Sequence, residues 1–222
     1  MIDRMPQTKA PAKRRDRRCA KSPWASLGAQ GLWARLSAEP VEYVDSPEFR
    51  APSAGRTILG LEPPASSVAV KGAPAGLPSY LRSLYRTALL TREQEIYLFR
   101  RYNYRKYQAA RLRDRLLRRG APPSAAELGR LESWLADAAS IRRRLVEANL
   151  RLVIHVVKRS YADGNAFFEL VSEGNLALMQ AVEKFDYRRG VKFGTYAAWV
   201  IRRRFARVIP LEHCRRTRFV TG

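Results

Sequence analysis

Cysteine, histidine and acidic residues are all scarce in this sequence. The 222 residues include only Cys19 and Cys214, which are far apart and belong to no CxxC pair, and only two histidines. This usage argues against a disulfide framework and against a structural metal site. The sequence also shows no nucleophile paired with a base and no phosphate-binding loop. It therefore predicts neither an enzyme nor a cofactor or small-molecule ligand.

Long apolar runs are absent as well. No stretch approaches the ~18 consecutive apolar residues of a transmembrane helix. The basic start MIDRMPQTKAPAKRRDRR is not followed by the apolar segment of a signal peptide. The sequence therefore predicts a soluble cytoplasmic protein without a membrane partner.

Positive charge, by contrast, is abundant. Lysine and arginine number 42 against 20 acidic residues, so the formal net charge is +22. This excess is far larger than solubility requires, and it predicts a polyanionic partner. Because a membrane surface is not favoured, nucleic acid is the first partner to consider.

The first third of the chain has the composition of a tail. Residues 1–76 hold nine of the 13 prolines and show no sustained apolar period, so we expect a disordered, basic, proline-rich tail over this range. The cluster of cations at 9–21 can touch DNA phosphate, although an ordinary solvated tail is the favoured alternative. Trp24 and Trp33 indicate at most one short helix.

From residue 77 the pattern becomes helical and shows no alternating strand signal. Thr91 and Gln94 have the spacing of a capping box at the start of a long helix, and the sequence GAPP at 120–123 ends it. Ser124 and Glu127 open the next helix in the same way. We predict an all-α domain over 77–222, a helical bundle with a long helical hairpin.

A later helix, FFELVSEGNLALMQAVEKF, has an apolar face and an acidic one. The polar side presents Glu169, Ser172, Glu173 and Gln180. Carboxylates in so basic a domain repel DNA, so this side is interpreted as a protein-binding face. The alternative is an ordinary solvated surface.

The segment FDYRRGVKFGTYAAWVIRRRFARVIP, at 185–210, mixes aromatic rings with cations. Single-stranded nucleic acid offers both the π-faces and the negative charge that such a mixture suits. We expect Thr195 to cap a helix that runs to about Ile209, with apolar residues at 197, 201, 205 and 208 facing the core. Tyr196, Trp199, Arg203 and Arg207 then share the exposed side. A place at the edge of the bundle is the alternative for Phe185, Phe193 and Tyr196.

Several of these segments together resemble one known family. YLRSLY, LLTREQE, EANLRLVI and EGNLALMQAVEKFDYRRGVKFGTYAAW occur in the order found in primary-type (sigma seventy) bacterial RNA polymerase sigma factors. The resemblance covers residues 77–105 and 142–210. It implies a subunit that directs RNA polymerase to promoters, then binds and melts the −10 element for transcription initiation. It also implies a location at the nucleoid.

The resemblance further implies which residues contact each partner. Those matching the family's contact to the clamp helices of the polymerase's largest subunit are Glu169, Ser172, Glu173, Met179 and Gln180. Those matching its contacts to promoter DNA, chiefly the single-stranded non-template strand of the −10 element, are Phe185, Tyr187, Arg188, Arg189, Lys192, Phe193, Thr195, Tyr196, Trp199, Arg202, Arg203 and Arg207.

Some positions carry a more detailed implication from the family, and some depart from it. Tyr196 matches the aromatic that stacks on a flipped adenine, with Arg189 and Thr195 in the same pocket. Ser172 replaces a usual glutamine, Val200 stands where a second tryptophan is common, and Val191 replaces an aromatic. Arg203 occupies the place of a glutamine that reads the duplex edge of the −10 element.

The end of the chain leaves alternatives open. Family members usually continue into a C-terminal helix-turn-helix domain that reads the −35 element, whereas this sequence stops at Gly222. It is either a fragment or a natural short form. A short sigma-like decoy that occupies the polymerase clamp without efficient initiation is the first alternative function. A general single-strand binder is the second.

Overall fold

A computed structural model describes residues 28–61, 64, 79–160 and 167–220, and the described residues are helical without a strand, as predicted. Two short 3-10 turns cover Pro47–Arg50 and Tyr187–Arg189. The helices in chain order are α1 (Gly28–Ala38), α2 (Ala54–Leu59), α3 (Ser79–Leu84), α4 (Arg92–Arg119), α5 (Ala125–Ser160), α6 (Phe167–Lys184) and α7 (Phe193–Val220). Among these helices, none combines the length and the apolar composition that a membrane crossing requires.

Helices α4 and α5 form the predicted hairpin, and both capping boxes are confirmed. The Thr91 side chain accepts a hydrogen bond from the Gln94 backbone N–H, while the Thr91 N–H donates to the Gln94 side chain at 3.0 Å. Ser124 and Glu127 make the same reciprocal pair before α5. Helix α4 ends at Gly120, whose φ of 67° is the left-handed conformation that glycine adopts without steric cost.

The bundle is built where the open end of this hairpin meets α6 and α7. The side chains with little or no exposure in this core come from all four helices and include Phe99, Leu145, Val153, Val157, Leu178, Val182, Phe193, Ala197 and Ile201. The apolar face predicted for α6 therefore packs against the hairpin and α7, which leaves its polar face outward.

Residues 28–61, which we call the strap, differ from the predicted disordered tail. Helix α1, the first 3-10 turn and α2 place Leu32, Leu36, Phe49 and Ile58 in buried positions against the hairpin. This part of the predicted tail is therefore helical and packed on the hairpin. Its apolar residues lack a regular period because the strap alternates short helices with extended backbone, and each side chain fits a groove of another element.

The strap runs along α4 in the opposite direction. Its hydrogen bonds to α4, in order along the strap, join Leu36 O to Arg113, the Val44 N–H to Asn103 at 2.8 Å, Glu48 to Arg100 at 2.8 Å and Leu61 O to Tyr97 at 3.2 Å. The short helix suggested by Trp33 is α1. Trp24 and the other residues of the predicted tail, at 1–27, 62–63 and 65–76, lie outside the described residues.

Helix α7 begins earlier and ends later than predicted. Thr195 is its third residue rather than its cap, and the Thr195 N–H donates to the Lys192 carbonyl at 3.1 Å. The buried ring of Phe193 fixes the first turn, which sequence spacing did not reveal. The helix continues past Pro210 to Val220, because a proline removes one backbone hydrogen bond without always ending a helix.

Candidate nucleic-acid and protein interfaces

A row of aromatic and basic side chains lies on the outer side of α7. Trp199 is 51% exposed, and the Arg203 guanidinium lies 5.2 Å from the centre of its ring. Tyr196, half-buried, stacks on Trp199 at a centroid distance of 6.4 Å. We call Tyr196, Trp199 and Arg203 the ring row. Flat faces beside a cation are what stacking on unpaired bases requires.

The ring row rests on an aromatic cluster of the core. The Tyr196 ring packs 5.5 Å from Phe185, which contacts Phe193 at 5.1 Å and Phe99 at 4.8 Å. Phe185 and Phe193 are buried, so they support the ring row and are not part of the exposed surface. Their inclusion among the predicted base contacts is corrected accordingly. The pairing with Phe99, on a distant helix, was invisible in the sequence.

Exposed cations surround the ring row. Arg202, Arg203 and Arg207 are exposed on α7, and no carboxylate forms a salt bridge with them in the part of the chain that the structure describes. Lys192 and Thr195 are exposed beside them. The exposed arginines therefore remain available to phosphate groups, which are strong acceptors for guanidinium.

The loop at 186–192, between α6 and α7, is held in shape by its own residues. Asp186 accepts hydrogen bonds from the Arg188 backbone at 3.1 Å and from its guanidinium at 3.0 Å. These bonds lower the pKa of the Asp186 carboxyl. The Arg188 side chain is thus bonded within the loop. The side chain of Arg189 is 80% exposed, and its ion pair with Asp186 is longer, at 3.7 Å. Gly190, with φ of 72°, turns the chain toward α7.

Tyr187 is buried, and its hydroxyl contacts the strap. Its hydroxyl donates to the Glu48 carboxylate of the strap at 2.5 Å, and Glu48 also accepts from Arg100 of α4. Burial and the bond to Glu48 raise the pKa of the Tyr187 hydroxyl. Burial raises the pKa of the Glu48 carboxyl too, but the hydrogen bonds outweigh it and the net pKa is lowered. Tyr187 is therefore corrected from a predicted DNA contact to a buried connection.

The polar face of α6 is exposed, with one exception. Glu169, Ser172 and Gln180 are exposed and Met179 is half-buried. Glu173 accepts a hydrogen bond from Arg204 of α7 at 2.8 Å, so its charge is neutralised within the bundle. Of the two carboxylates that were predicted to be exposed, Glu169 is exposed and Glu173 is half-buried.

Two exposed apolar side chains on α6 were missed by the sequence reasoning. Leu176 is 45% exposed and Phe168 is 65% exposed. Leu176 lies four residues from both Ser172 and Gln180, which places the three on one side of the helix. We call Phe168, Ser172, Leu176, Met179 and Gln180 the α6 face. The i, i+4 spacing of Leu176 was the signal that could have revealed an apolar centre there.

Both surfaces lie in a segment that has recognisable relatives. The family described as Sigma-70 region 2 matches residues 145–218, which include all of α6, the loop at 186–192 and nearly all of α7. This segment of the chain is thus similar to sigma-70 region 2. RNA polymerase sigma factor SigA of Clostridium acetobutylicum is 53% identical to the chain over 70 residues. That alignment covers 32% of this chain and 18% of the relative, so the chain spans about a fifth of the length of that curated protein.

The region 2 match covers only part of the described structure. The strap, α4 and the closed end of the hairpin all precede residue 145 and lie outside region 2. The contacts of Tyr187 with Glu48, and of Glu48 with Arg100, therefore join region 2 to parts of the chain that the family match does not include.

Proposed function

We propose that this chain acts as a sigma subunit, which directs a bacterial RNA polymerase to promoters and helps to open the −10 element. The observation that carries the proposal is the ring row, in which Trp199 is exposed, together with the exposed Arg202 and Arg207 beside it, within the segment that matches sigma-70 region 2. This activity belongs in the cytoplasm, at the nucleoid. It is binding, not covalent catalysis.

On the DNA side, Tyr196 and Trp199 stack on unpaired bases of the non-template strand. Arg203 and Arg207 bind phosphates of the adjoining duplex, while Arg189, Lys192 and Arg202 bind the backbone near the loop. The position of Tyr196 against Phe185, at 5.5 Å, keeps its ring oriented before DNA arrives. A ring held in place loses little conformational entropy on binding.

Magnitudes indicate that the chain needs the polymerase. Each stacked base contributes about 1–3 kcal/mol, so two contribute about 2–6 kcal/mol. Opening about ten base-pair steps loses roughly 14 kcal/mol at ~1.4 kcal/mol per step. Capture of two bases therefore cannot hold a bubble open, and contacts of the polymerase with DNA supply the rest.

On the protein side, the α6 face docks on the clamp helices of the polymerase's largest subunit. Leu176 supplies an apolar centre and Ser172 and Gln180 a polar rim, which is the usual arrangement of a protein interface. Glu169 adds an acidic edge.

The DNA contact is tested with Trp199→Ala and Arg207→Ala, each bound to core polymerase. Trp199→Ala should weaken binding of a single-stranded −10 oligonucleotide by about 1–3 kcal/mol, the range for one lost stacked base, with little change in salt dependence. Arg207→Ala should reduce the salt slope by about one unit, because one phosphate contact is lost. Leu117→Ala, at an exposed leucine of α4, is the control. Binding by Trp199→Ala at the strength of the parent would exclude the stacking role.

The docking contact is tested with Leu176→Ser against Leu117→Ser. Both leucines are similarly exposed on helices, at 45% and 41%, so their effects on stability should be alike. Only Leu176→Ser should weaken capture of core polymerase. A run-off transcription assay with the parent then separates initiation from occupation of the clamp alone.

A further inference from the structure

The loop at 186–192 is held from two elements outside region 2. Arg92, the first residue of α4, donates to the Gly190 carbonyl at 2.8 Å. Tyr187 donates to Glu48 of the strap at 2.5 Å, across 139 positions of sequence. The second contact is more buried, since Tyr187 is 9% exposed. A hydrogen bond with a charged partner in a buried place is among the stronger single contacts in a protein.

Glu48 is itself held firmly where it meets Tyr187. The neighbouring Phe49 is buried, with its ring 5.5 Å from both Tyr104 and Tyr107 of α4. The Glu48 carboxylate also accepts from Arg100 at 2.8 Å. The carboxylate is therefore fixed to both the strap and α4, and its hydrogen bond with Tyr187 joins the strap to the loop.

The contact of Tyr187 with Glu48 affects residues of the DNA-binding surface that precede and follow Tyr187 in the sequence. Two residues before it, Phe185 forms the floor under the ring of Tyr196. Two residues after it, the side chain of Arg189 is 80% exposed, and Lys192 farther along the loop is exposed as well. If Tyr187 left its place, the floor of the ring row and the cations of the loop would shift together.

We propose that Glu48 is a positioning residue for promoter binding, because through Tyr187 the strap holds the loop at 186–192 in the shape that binds DNA. The strap is thus part of the DNA-binding unit although it lies outside region 2. The inference rests on the proposed function for its DNA half, whereas the hold of the strap on the loop can be measured without DNA.

The variants are Glu48→Gln and Tyr187→Phe, with Glu42→Gln as control. Glu42 is an exposed carboxylate of the same strap without a salt bridge in the described residues, so its variant makes the same change of charge. Tyr187→Phe removes the hydrogen bond between the loop and Glu48 and leaves the ion pair of Glu48 with Arg100 intact. Circular dichroism and melting curves establish that each full-length variant is folded at the temperature of measurement.

Hydrogen exchange of the backbone amides at 186–192 is the first measurement, on the chain alone. Both variants should exchange roughly tenfold faster or more at the loop, the range for losing a hydrogen bond to a charged group, while amides of α5 and α6 keep the rates of the parent. At the loop, Glu48→Gln combined with Tyr187→Phe should be no faster than the faster of the two single variants, because both act on the same contact between Tyr187 and Glu48.

Affinity for a single-stranded −10 oligonucleotide, with core polymerase present, is the second measurement. It should fall in both variants relative to Glu42→Gln, because without the contact of Tyr187 with Glu48 the loop no longer holds Phe185 and Arg189 in the positions that bind DNA. Loop exchange equal to that of Glu42→Gln would overturn the proposal and show that the hydrogen bonds of Asp186 with Arg188 and of Arg92 with Gly190 hold the loop by themselves. Faster exchange with unchanged affinity would overturn it too. If the loop of the variants exchanges faster but the parent chain does not bind the oligonucleotide, the contact of the strap with the loop is supported. The proposed promoter function is then contradicted instead.

Discussion

Gly174 lies on the inner side of α6, where two core side chains approach its Cα. A Cβ placed there would lie 2.5 Å from Cγ1 of Val153 and 3.2 Å from Cζ of Phe205. Both neighbours are fully buried and cannot swing into solvent. Gly129 on α5 is a natural comparison, because a Cβ there would meet nothing within 4 Å. One glycine is thus required by packing, whereas the other only weakens its helix.

Gly174→Ala should therefore destabilise the chain and Gly129→Ala should stabilise it. Alanine gains up to about 1 kcal/mol over glycine in a helix interior, and Gly129→Ala should realise most of this gain. At Gly174 the same gain is opposed by an overpacking cost of about 1–3 kcal/mol, so the net effect is a loss. Urea denaturation of both variants measures the sign of each change in the free energy of unfolding. A gain of stability in Gly174→Ala would mean that Val153 and Phe205 move aside at little cost.

Glu127 provides a residue-scale test of pH dependence. Hydrogen bonds from the Arg119 guanidinium and from Ser124 lower the pKa of its carboxyl from 4.5 to about 2. Because the folded pKa lies below the unfolded one, the contribution to stability is complete above pH 4.5 and is lost as the pH falls toward 2. Carbon-13 NMR titration should place the Glu127 midpoint near pH 2. Arg119→Ala should move it back up, and an unchanged midpoint would show that Arg119 is not the cause.

At the scale of elements, Glu183 joins three helices of the bundle. This residue of α6 accepts from Lys106 at 2.7 Å and from the Tyr102 hydroxyl at 2.8 Å, both on α4, and pairs with Arg142 of α5 at 2.7 Å. Burial raises the pKa of the Glu183 carboxyl, but Lys106 and the other partners outweigh burial and lower it overall. The carboxylate therefore stays charged and satisfies a lysine that is itself buried.

Glu183→Gln should destabilise the bundle more than a surface change does. The variant leaves Lys106 without its counter-charge, and we expect a loss of about 1–3 kcal/mol, the range for an unsatisfied buried donor. Glu147→Gln on the exposed side of α5 is the matched control and should change stability by no more than about 0.5 kcal/mol. Thermal unfolding of the two variants compares them. Equal melting temperatures would indicate that water replaces the carboxylate.

At the scale of the whole molecule, the strap completes the hairpin. Leu32 and Leu36 pack on Leu112 and Leu116 of α4, while Phe49 and Ile58 lie against Tyr104 and Tyr107. Burial of a large apolar side chain contributes about 1.5–3 kcal/mol, so four such residues contribute about 6–12 kcal/mol as an upper estimate. That amount is comparable with the total stability of a typical domain, about 5–15 kcal/mol. The hairpin alone would expose a long apolar groove.

Removal of residues 1–61 should therefore lower the melting temperature sharply and promote association through the exposed groove. Removal of residues 1–27 deletes none of the contacts described and is the control. Calorimetry and light scattering at matched concentration measure both effects. A shortened chain without the strap that melts like the control would show that the strap adds little to the fold.

The sequence by itself determined the local and periodic features of this protein. Both capping boxes, the end of α4 at Gly120, the apolar face of α6 and the exposed side of α7 at Trp199, Arg203 and Arg207 were all predicted. Each depends on residues within one or two helical turns, where spacing alone decides which side chains share a face. The resemblance to sigma factors rests on the same local motifs, and the family match over residues 145–218 agrees with it.

Only the tertiary structure decided which predicted side chains are exposed and what joins the elements. Phe185, Phe193 and Tyr187 had the composition of a DNA-binding loop, yet Phe99 and Glu48 draw them inward. Glu173 had the pattern of an exposed carboxylate until Arg204 paired with it. Glu173 and Arg204 are 31 positions apart in the sequence, and Tyr187 and Glu48 are 139 positions apart. Spacing along the chain carries no information about such pairs, because they form only when packing of the helices brings distant residues together.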